Sequence, residues 1–119
     1  MDNTLKVYGV PLSPYVKKVT AVLAMKGIEY QIDPVVPTKE NQTPELYKKS
    51  PLGKIPFIEH QGLSIPDSSV ICDYLNQIEP SPAIYPSNAA DRAKARWLEE
   101  YADVKLVQVF GGGIFFERV

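Results

Sequence analysis

The chain reads as an α/β domain followed by the beginning of an all-α segment. Three observations lead there. Short strand-like runs alternate with helical periodicity between Leu5 and Ile78. Ser13-Pro14 and Thr43-Pro44 stand where helices should start, and Gly27 stands where one should stop. After Glu79, prolines at 80, 82 and 86 interrupt regular structure, and a purely helical pattern follows. The order is β-α-β-α-β-β-α within about 80 residues.

Each element has its own local reason. Leu5 to Gly9 is a short strand. Ser13 is placed as an N-cap, with Pro14 at the first helical position, where a missing N–H does no harm. Val16, Val19, Val22 and Leu23 then recur at helical spacing, with Lys17, Lys18 and Lys26 on the other side. Tyr30 to Asp33 alternates as a second strand, ended by Pro34 and Pro37. Thr38 to Thr43 is a polar loop, and Pro44 to Lys49 a short helix capped by Thr43. Ile55 to Glu59 and Leu63 to Ile65 form a hairpin around His60-Gln61-Gly62. Ser68 to Ile78 is a third helix, with Ile71, Tyr74, Leu75 and Ile78 as its apolar face.

Beyond the prolines, Ser87 or Asn88 caps another helical region. Its apolar side holds Ala93, Trp97, Leu98, Tyr101, Val104 and Leu106. Gly111-Gly112-Gly113 should break or kink it, since each glycine costs roughly 1 kcal/mol against alanine. The last residues, Ile114 to Val119, form an apolar cluster with nothing after it to pack against. The organisation expected is residues 1–80 as one domain, 81–87 as a linker, and 88–119 as the first part of a helical domain.

Composition narrows the function. The 119 residues make one domain, or a small domain plus part of another, and 45% hydrophobic residues can build a core. A net charge of −1 gives no basic footprint for nucleic acid. No apolar run is long enough to span a bilayer. The first residues lack the basic-then-apolar pattern of a signal peptide. The single cysteine, Cys72, excludes an intrachain disulfide, and it reads as a small packing residue inside a helix. With one cysteine and one histidine, His60, no cysteine cluster or two-histidine metal site can form. A cytoplasmic protein without metal, membrane or nucleic-acid partners is expected.

Ser13 puts a hydroxyl at the positive end of a helix dipole and at the carboxyl end of a strand, where open α/β sheets bind ligands. Capping alone also accounts for it. Three further runs change the weighting: Ser50-Pro51-Leu52-Gly53-Lys54-Ile55-Pro56, Asp67-Ser68-Ser69-Val70-Ile71, and Asp73-Tyr74-Leu75. With Ser13-Pro14-Tyr15-Val16 before them, and Tyr85-Pro86, Arg92-Ala93 and Trp97 after them, the chain resembles the amino-terminal part of a cytosolic glutathione transferase. The serine-type run is similar to that of the plant tau class and its bacterial relatives.

The resemblance implies a thioredoxin-like domain and then the first helix of an all-α domain, in a family whose chains are close to twice this length. It implies that glutathione is the co-substrate and that its thiolate attacks an electrophilic small molecule, as in detoxification, in a homodimer. Ser13 matches the serine that stabilises the thiolate, and Tyr8 is the alternative, as in the tyrosine-type classes. Ile55, before a cis Pro56, would pair its backbone with the cysteinyl part of glutathione. Ser68 would hold the γ-glutamyl carboxylate and Asp67 would face the α-amino group. Asp67 is shorter than the Glu or Gln common there. Lys54, or Lys39 in the preceding loop, would meet the glycyl carboxylate. Ser13 and Val16 stand where a glutaredoxin has cysteines, which excludes dithiol chemistry at this place. The electrophile pocket would come mostly from the helical domain, so the substrate is not readable here. The alternative reading is a non-catalytic binding or scaffold module of the same fold.

Overall fold

Leu5–Tyr8 (β1) is a four-residue strand that buries Leu5 and Val7 and leaves Lys6 and Tyr8 half-buried on its other face. This is the two-residue alternation of a pleated strand. In the computed structural model, residues 4–36, 38, 40 and 42–106 are described. The further elements of the first compact unit, Met1–Pro82, are Pro14–Lys26 (α1), Tyr30–Asp33 (β2), Pro44–Lys49 (α2), Phe57–His60 (β3), Leu63–Pro66 (β4) and Ser68–Ile78 (α3). The sheet order is β2-β1-β3-β4, with β1 and β2 parallel and the other two pairings antiparallel. This is the thioredoxin-like arrangement that the resemblance implied.

Local signals act where they were read. The Ser13 hydroxyl accepts from the Val16 N–H, and the Thr43 hydroxyl accepts from the Leu46 N–H. Gly27 ends α1 at φ 66°, a left-handed conformation that costs glycine little. Gln61 and Gly62 both have positive φ, the requirement of the two-residue turn that matches strand twist in a hairpin.

Several strand boundaries differ from expectation: β1 ends at Tyr8 rather than Gly9, and β4 at Pro66 rather than Ile65. The third strand begins at Phe57, two residues later than Ile55, and runs through His60. The peptide between Ile55 and Pro56 is cis, and the ladder starts beyond it. The α3 stripe also shifts: Cys72 is buried beside Ile71 and Leu75, whereas Ile78 is 42% exposed at the helix end.

The two faces of the sheet differ in chemistry. Val7, Ile58 and Ile65 are in register across β1, β3 and β4, so they share a face. Gly9 continues that face, and a Cβ built there would lie 2.6 Å from Val16 Cγ2, so this is the α1 side. Helix α3 packs beside α1. Each fully buried Val, Leu or Ile in this layer contributes roughly 1.5–3 kcal/mol. Tyr8, Phe57 and Glu59 occupy the opposite face with α2.

Two lysines of the helix's other side reach partners on neighbouring segments. Lys26 is 7% exposed, and its ammonium donates to Asn76 Oδ1 at 2.8 Å and to the Pro82 carbonyl. Lys18 is half-buried and reaches α3. Long lysine stems lie along apolar surface while the charged ends find acceptors.

The second unit, Ala83–Val119, is described to residue 106. Asn88 caps Ala89–Tyr101 (α4), accepting from the N–H groups of Ala90 and Asp91 at 3.0 and 3.1 Å. The helix runs on into a π-helical turn, Ala102–Leu106. Tyr85 is buried within this unit. Its hydroxyl donates to Glu99 at 2.8 Å, and the Arg92 and Arg96 guanidinium groups lie 4.9 and 5.4 Å from its ring centre. The glycine run at 111–113 and the apolar end at 114–119 lie outside the described residues.

Candidate functional site

Register brings the candidate residues to one end of the sheet. Tyr8 pairs with Phe57, and Phe57 with Pro66. The next residues in each strand's extension are therefore Gly9, Pro56 and Asp67, side by side across β1, β3 and β4. The chain leaving Gly9 makes a turn closed by the Ser13 N–H on the Val10 carbonyl at 3.0 Å, and α1 begins. A Cβ at Gly9 would also lie 3.5 Å from Ile55 Cβ. Only the contact with Val16 requires glycine here, and the residue before Pro56 lies at ordinary van der Waals distance.

Ser13 is half-buried at the N-terminus of α1. Its oxygen accepts from the Val16 N–H at 3.4 Å, a long bond, and its hydroxyl hydrogen has no acceptor among the described residues. The group can therefore donate to an anion placed before the helix, where the dipole also favours negative charge.

Asp67 caps α3 with one carboxylate oxygen, accepting from the N–H of Ser69 at 2.9 Å and of Val70 at 3.4 Å. It does so at φ 76°, a strained region for a residue with a Cβ. Ser68 is the first helical residue, so its N–H has no partner within the helix. The Ser68 hydroxyl is buried and receives Lys18 Nζ at 3.4 Å, and Ser69 receives it at 2.9 Å. Lys18 thus ties the second turn of α1 to the start of α3 and puts a positive charge beneath it. Periodicity alone gave no hint of this role.

Lys54 carries an exposed ammonium with no ion-pair partner among the described residues. Its backbone is held by the buried Ser50 hydroxyl. Lys39 lies outside the described residues.

Tyr8 is placed differently. Its ring is on the face opposite α1, stacked on Phe57 and 5.2 Å from Lys49 Nζ. Its hydroxyl donates to Glu59, which pairs with Lys6, farther back along the strands from the end where Ser13 sits. Burial first, and then the Glu59 carboxylate, push the Tyr8 hydroxyl well above its ordinary range. Glu59 also takes the Lys49 ammonium at 2.6 Å, and that bond, ahead of the one from Tyr8, holds its carboxyl below the usual carboxylate range. A cavity of about 270 Å³ opens on this α2 side, lined by Tyr8, Val35, Leu46, Lys49 and Phe57 among others. Of the sequence candidates it holds Tyr8 alone among the described residues.

Comparison with known proteins agrees with this architecture. Residues 7–83 match the model of the glutathione S-transferase N-terminal domain. A probable glutathione S-transferase of Solanum tuberosum is 32% identical over 102 residues, covering 85% of this chain and 46% of the relative. Glutathione S-transferase U8 of Arabidopsis thaliana is 36% identical over 109 residues, covering 89% and 48%. The crystal structure of a tau class glutathione S-transferase from mango, Mangifera indica, superposes with a TM-score of 0.76 at 32% identity, covering 88% of this chain and 48% of that one. The chain thus spans about half the length of the curated relatives it matches. With the family model covering more than half of the chain, and the sheet order and helix starts in agreement, the chain belongs to the glutathione S-transferase family, whose N-terminal domain it carries over residues 7–83.

Proposed function

We propose that this chain is the glutathione-binding part of a glutathione transferase and that Ser13 activates the glutathione thiol. The observation that carries the reading is the gathering of Ser13, Ile55, Asp67 and Ser68 at one end of the sheet. The γ-glutamyl carboxylate is taken by the Ser68 hydroxyl and N–H at the start of α3, over the Lys18 charge. Asp67, whose second carboxylate oxygen is not used in the cap, faces the α-amino group. The cysteinyl part lies along Ile55 as an added strand. Lys54 meets the glycyl carboxylate, with Lys39 as the second candidate for that contact.

This places the sulfur before α1. A free thiol titrates near 8.5, so at neutral pH it is mostly protonated and a weak nucleophile. A hydrogen bond from the Ser13 hydroxyl, together with the helix dipole, favours the thiolate, and each unit of pKa lowering is worth about 1.4 kcal/mol. The thiol proton leaves to solvent, and the thiolate sulfur bonds to the electrophilic carbon as the leaving group departs with its electron pair, or as a double bond opens and its other atom takes a proton from solvent. Tyr8 is less suited. Its proton is committed to Glu59, its hydroxyl is a weaker acid than an ordinary phenol, and it lies on the other face.

The rest of the reading is a cytoplasmic homodimer acting in detoxification, with the electrophile held mainly by residues beyond this domain. Calorimetric titration of glutathione into the chain, with ultraviolet absorbance following the thiolate, tests the core of it. Wild type should bind and lower the thiol pKa. Ser13→Ala should bind glutathione but leave it protonated, and Tyr8→Phe should behave as wild type. Thiolate lost in Tyr8→Phe and kept in Ser13→Ala would reverse the assignment. No binding by wild type would favour a non-catalytic module.

A further inference from the structure

Ser50 is 1% exposed, and each of its polar groups is in use. Its N–H closes α2 on the Leu46 carbonyl at 2.7 Å, and its carbonyl accepts from the Gly53 N–H at 2.8 Å. Its hydroxyl donates to the Lys54 carbonyl at 2.7 Å and accepts from the Lys54 N–H at 3.2 Å. One side chain therefore holds both backbone groups of a residue four positions on. Gln42 adds a bond from its side-chain amide to the Gly53 carbonyl at 3.3 Å. The loop 51–54 is otherwise exposed at Pro51, Leu52 and Lys54, so its shape depends on this buried hydroxyl.

The consequence follows from peptide geometry. The Lys54 carbonyl and the Ile55 N–H belong to one planar trans unit, so they point in opposite directions. Holding the Lys54 oxygen inward on Ser50 turns the Ile55 N–H outward. That N–H has no acceptor among the described residues, and the β3 ladder starts only at Phe57. We infer that Ser50 is a positioning residue that aims the Ile55 N–H at the cysteinyl carbonyl of glutathione. The inference rests on the glutathione-binding reading above. Ser50 does not touch the ligand. It fixes the orientation of the one backbone donor that meets the middle of the tripeptide, and so sets where the sulfur falls relative to Ser13.

The test compares two ligands on this chain: glutathione, and its analogue in which sulfur replaces the cysteinyl carbonyl oxygen, a weaker acceptor of similar shape. Ser50→Ala should weaken glutathione roughly tenfold, the worth of one well-placed neutral hydrogen bond, and weaken the thioamide analogue by less than about threefold. Ser50→Thr keeps the hydroxyl and should restore the glutathione affinity. Ser50→Cys keeps the volume with a weak donor; it should follow Ser50→Ala and serves if the alanine variant fails to fold. Equal losses for both ligands would mean that Ser50 merely stabilises the loop, and would overturn the inference. Wild-type affinity in both Ser50→Ala and Ser50→Cys would overturn it as well. In each of those cases the glutathione-binding reading stands, because wild type binds. A wild-type chain that binds neither ligand overturns that reading, and this inference with it.

Discussion

Tyr8 lies flat on Phe57, ring centres 4.6 Å apart and planes within 7° of parallel, on the sheet face away from α1. The stack holds the Tyr8 hydroxyl on Glu59 and sets a pH dependence with two arms. Tyr8 titrates higher folded than its ordinary value of 10.0, so its stabilising contribution is present below pH 10 and is lost as pH rises above it. Glu59 titrates lower folded than its ordinary 4.5, so its contribution is present above pH 4.5 and is lost as pH falls below it. Urea unfolding across pH should show Tyr8→Phe removing the alkaline slope at a cost of about 1 kcal/mol at neutral pH. Glu59→Gln should remove the acid slope. An unchanged alkaline slope in Tyr8→Phe would assign that slope to another group.

Gly9→Ala tests the close approach of the first turn of α1 to the end of β1. The new methyl would meet Val16 Cγ2 at 2.6 Å, so the first turn of α1 must shift. A loss of about 1–3 kcal/mol is expected, with weakened glutathione binding because Ser13 moves with that turn. The double variant Gly9→Ala/Val16→Ala removes the obstructing methyl and should lose less than the two single changes added together. Strict additivity in unfolding and binding would mean that the contact is not what couples them.

Asp67 combines a cap with a positive φ, and the two separate by substitution. Asp67→Asn keeps a capping oxygen and should be nearly neutral in stability. Asp67→Ala loses the cap and keeps the strained backbone, at a cost of about 1 kcal/mol. Asp67→Gly relaxes the backbone and should be more stable than Asp67→Ala, adding to the ordinary N-cap preference for glycine over alanine. Glutathione binding should fall in all three, including the stable Asp67→Asn, if the carboxylate faces the α-amino group. Denaturant unfolding paired with calorimetry reads both effects.

Lys26 holds the end of α1 to Asn76 and to the Pro82 carbonyl with a buried ammonium. Lys26→Met keeps the apolar stem and removes the donor. A loss of about 1–3 kcal/mol is expected, since two hydrogen bonds from a charged donor that is itself only 7% exposed are removed. Amide hydrogen exchange should rise in the last turn of α3 more than in β1. Equal effects on both would mean that the lysine matters through packing alone.

Much of the fold was legible because its signals are local. Ser13-Pro14, Gly27, Thr43-Pro44 and Asn88 set helix ends through bonds spanning two to four residues, and the Gln61-Gly62 turn depends on two backbone angles. The candidate site was legible through the same residues, because its groups sit at helix starts and beside a proline. What stayed hidden depends on partners distant in sequence. Lys18 lies 51 positions from Ser69, and nothing in the helical period says that its ammonium ends there. Ser50 reads as one residue of a motif until its hydroxyl is seen closing on Lys54.

By itself, then, the sequence determined the elements, the helix ends and the chemistry available there, since capping, turn geometry and apolar periodicity act over a few bonds. The tertiary structure alone decided that Tyr8 serves Glu59 on one face while Ser13, Ile55, Asp67 and Ser68 meet at one end. Strand register and the close approach at Gly9 make that choice, and both come from packing between segments many residues apart.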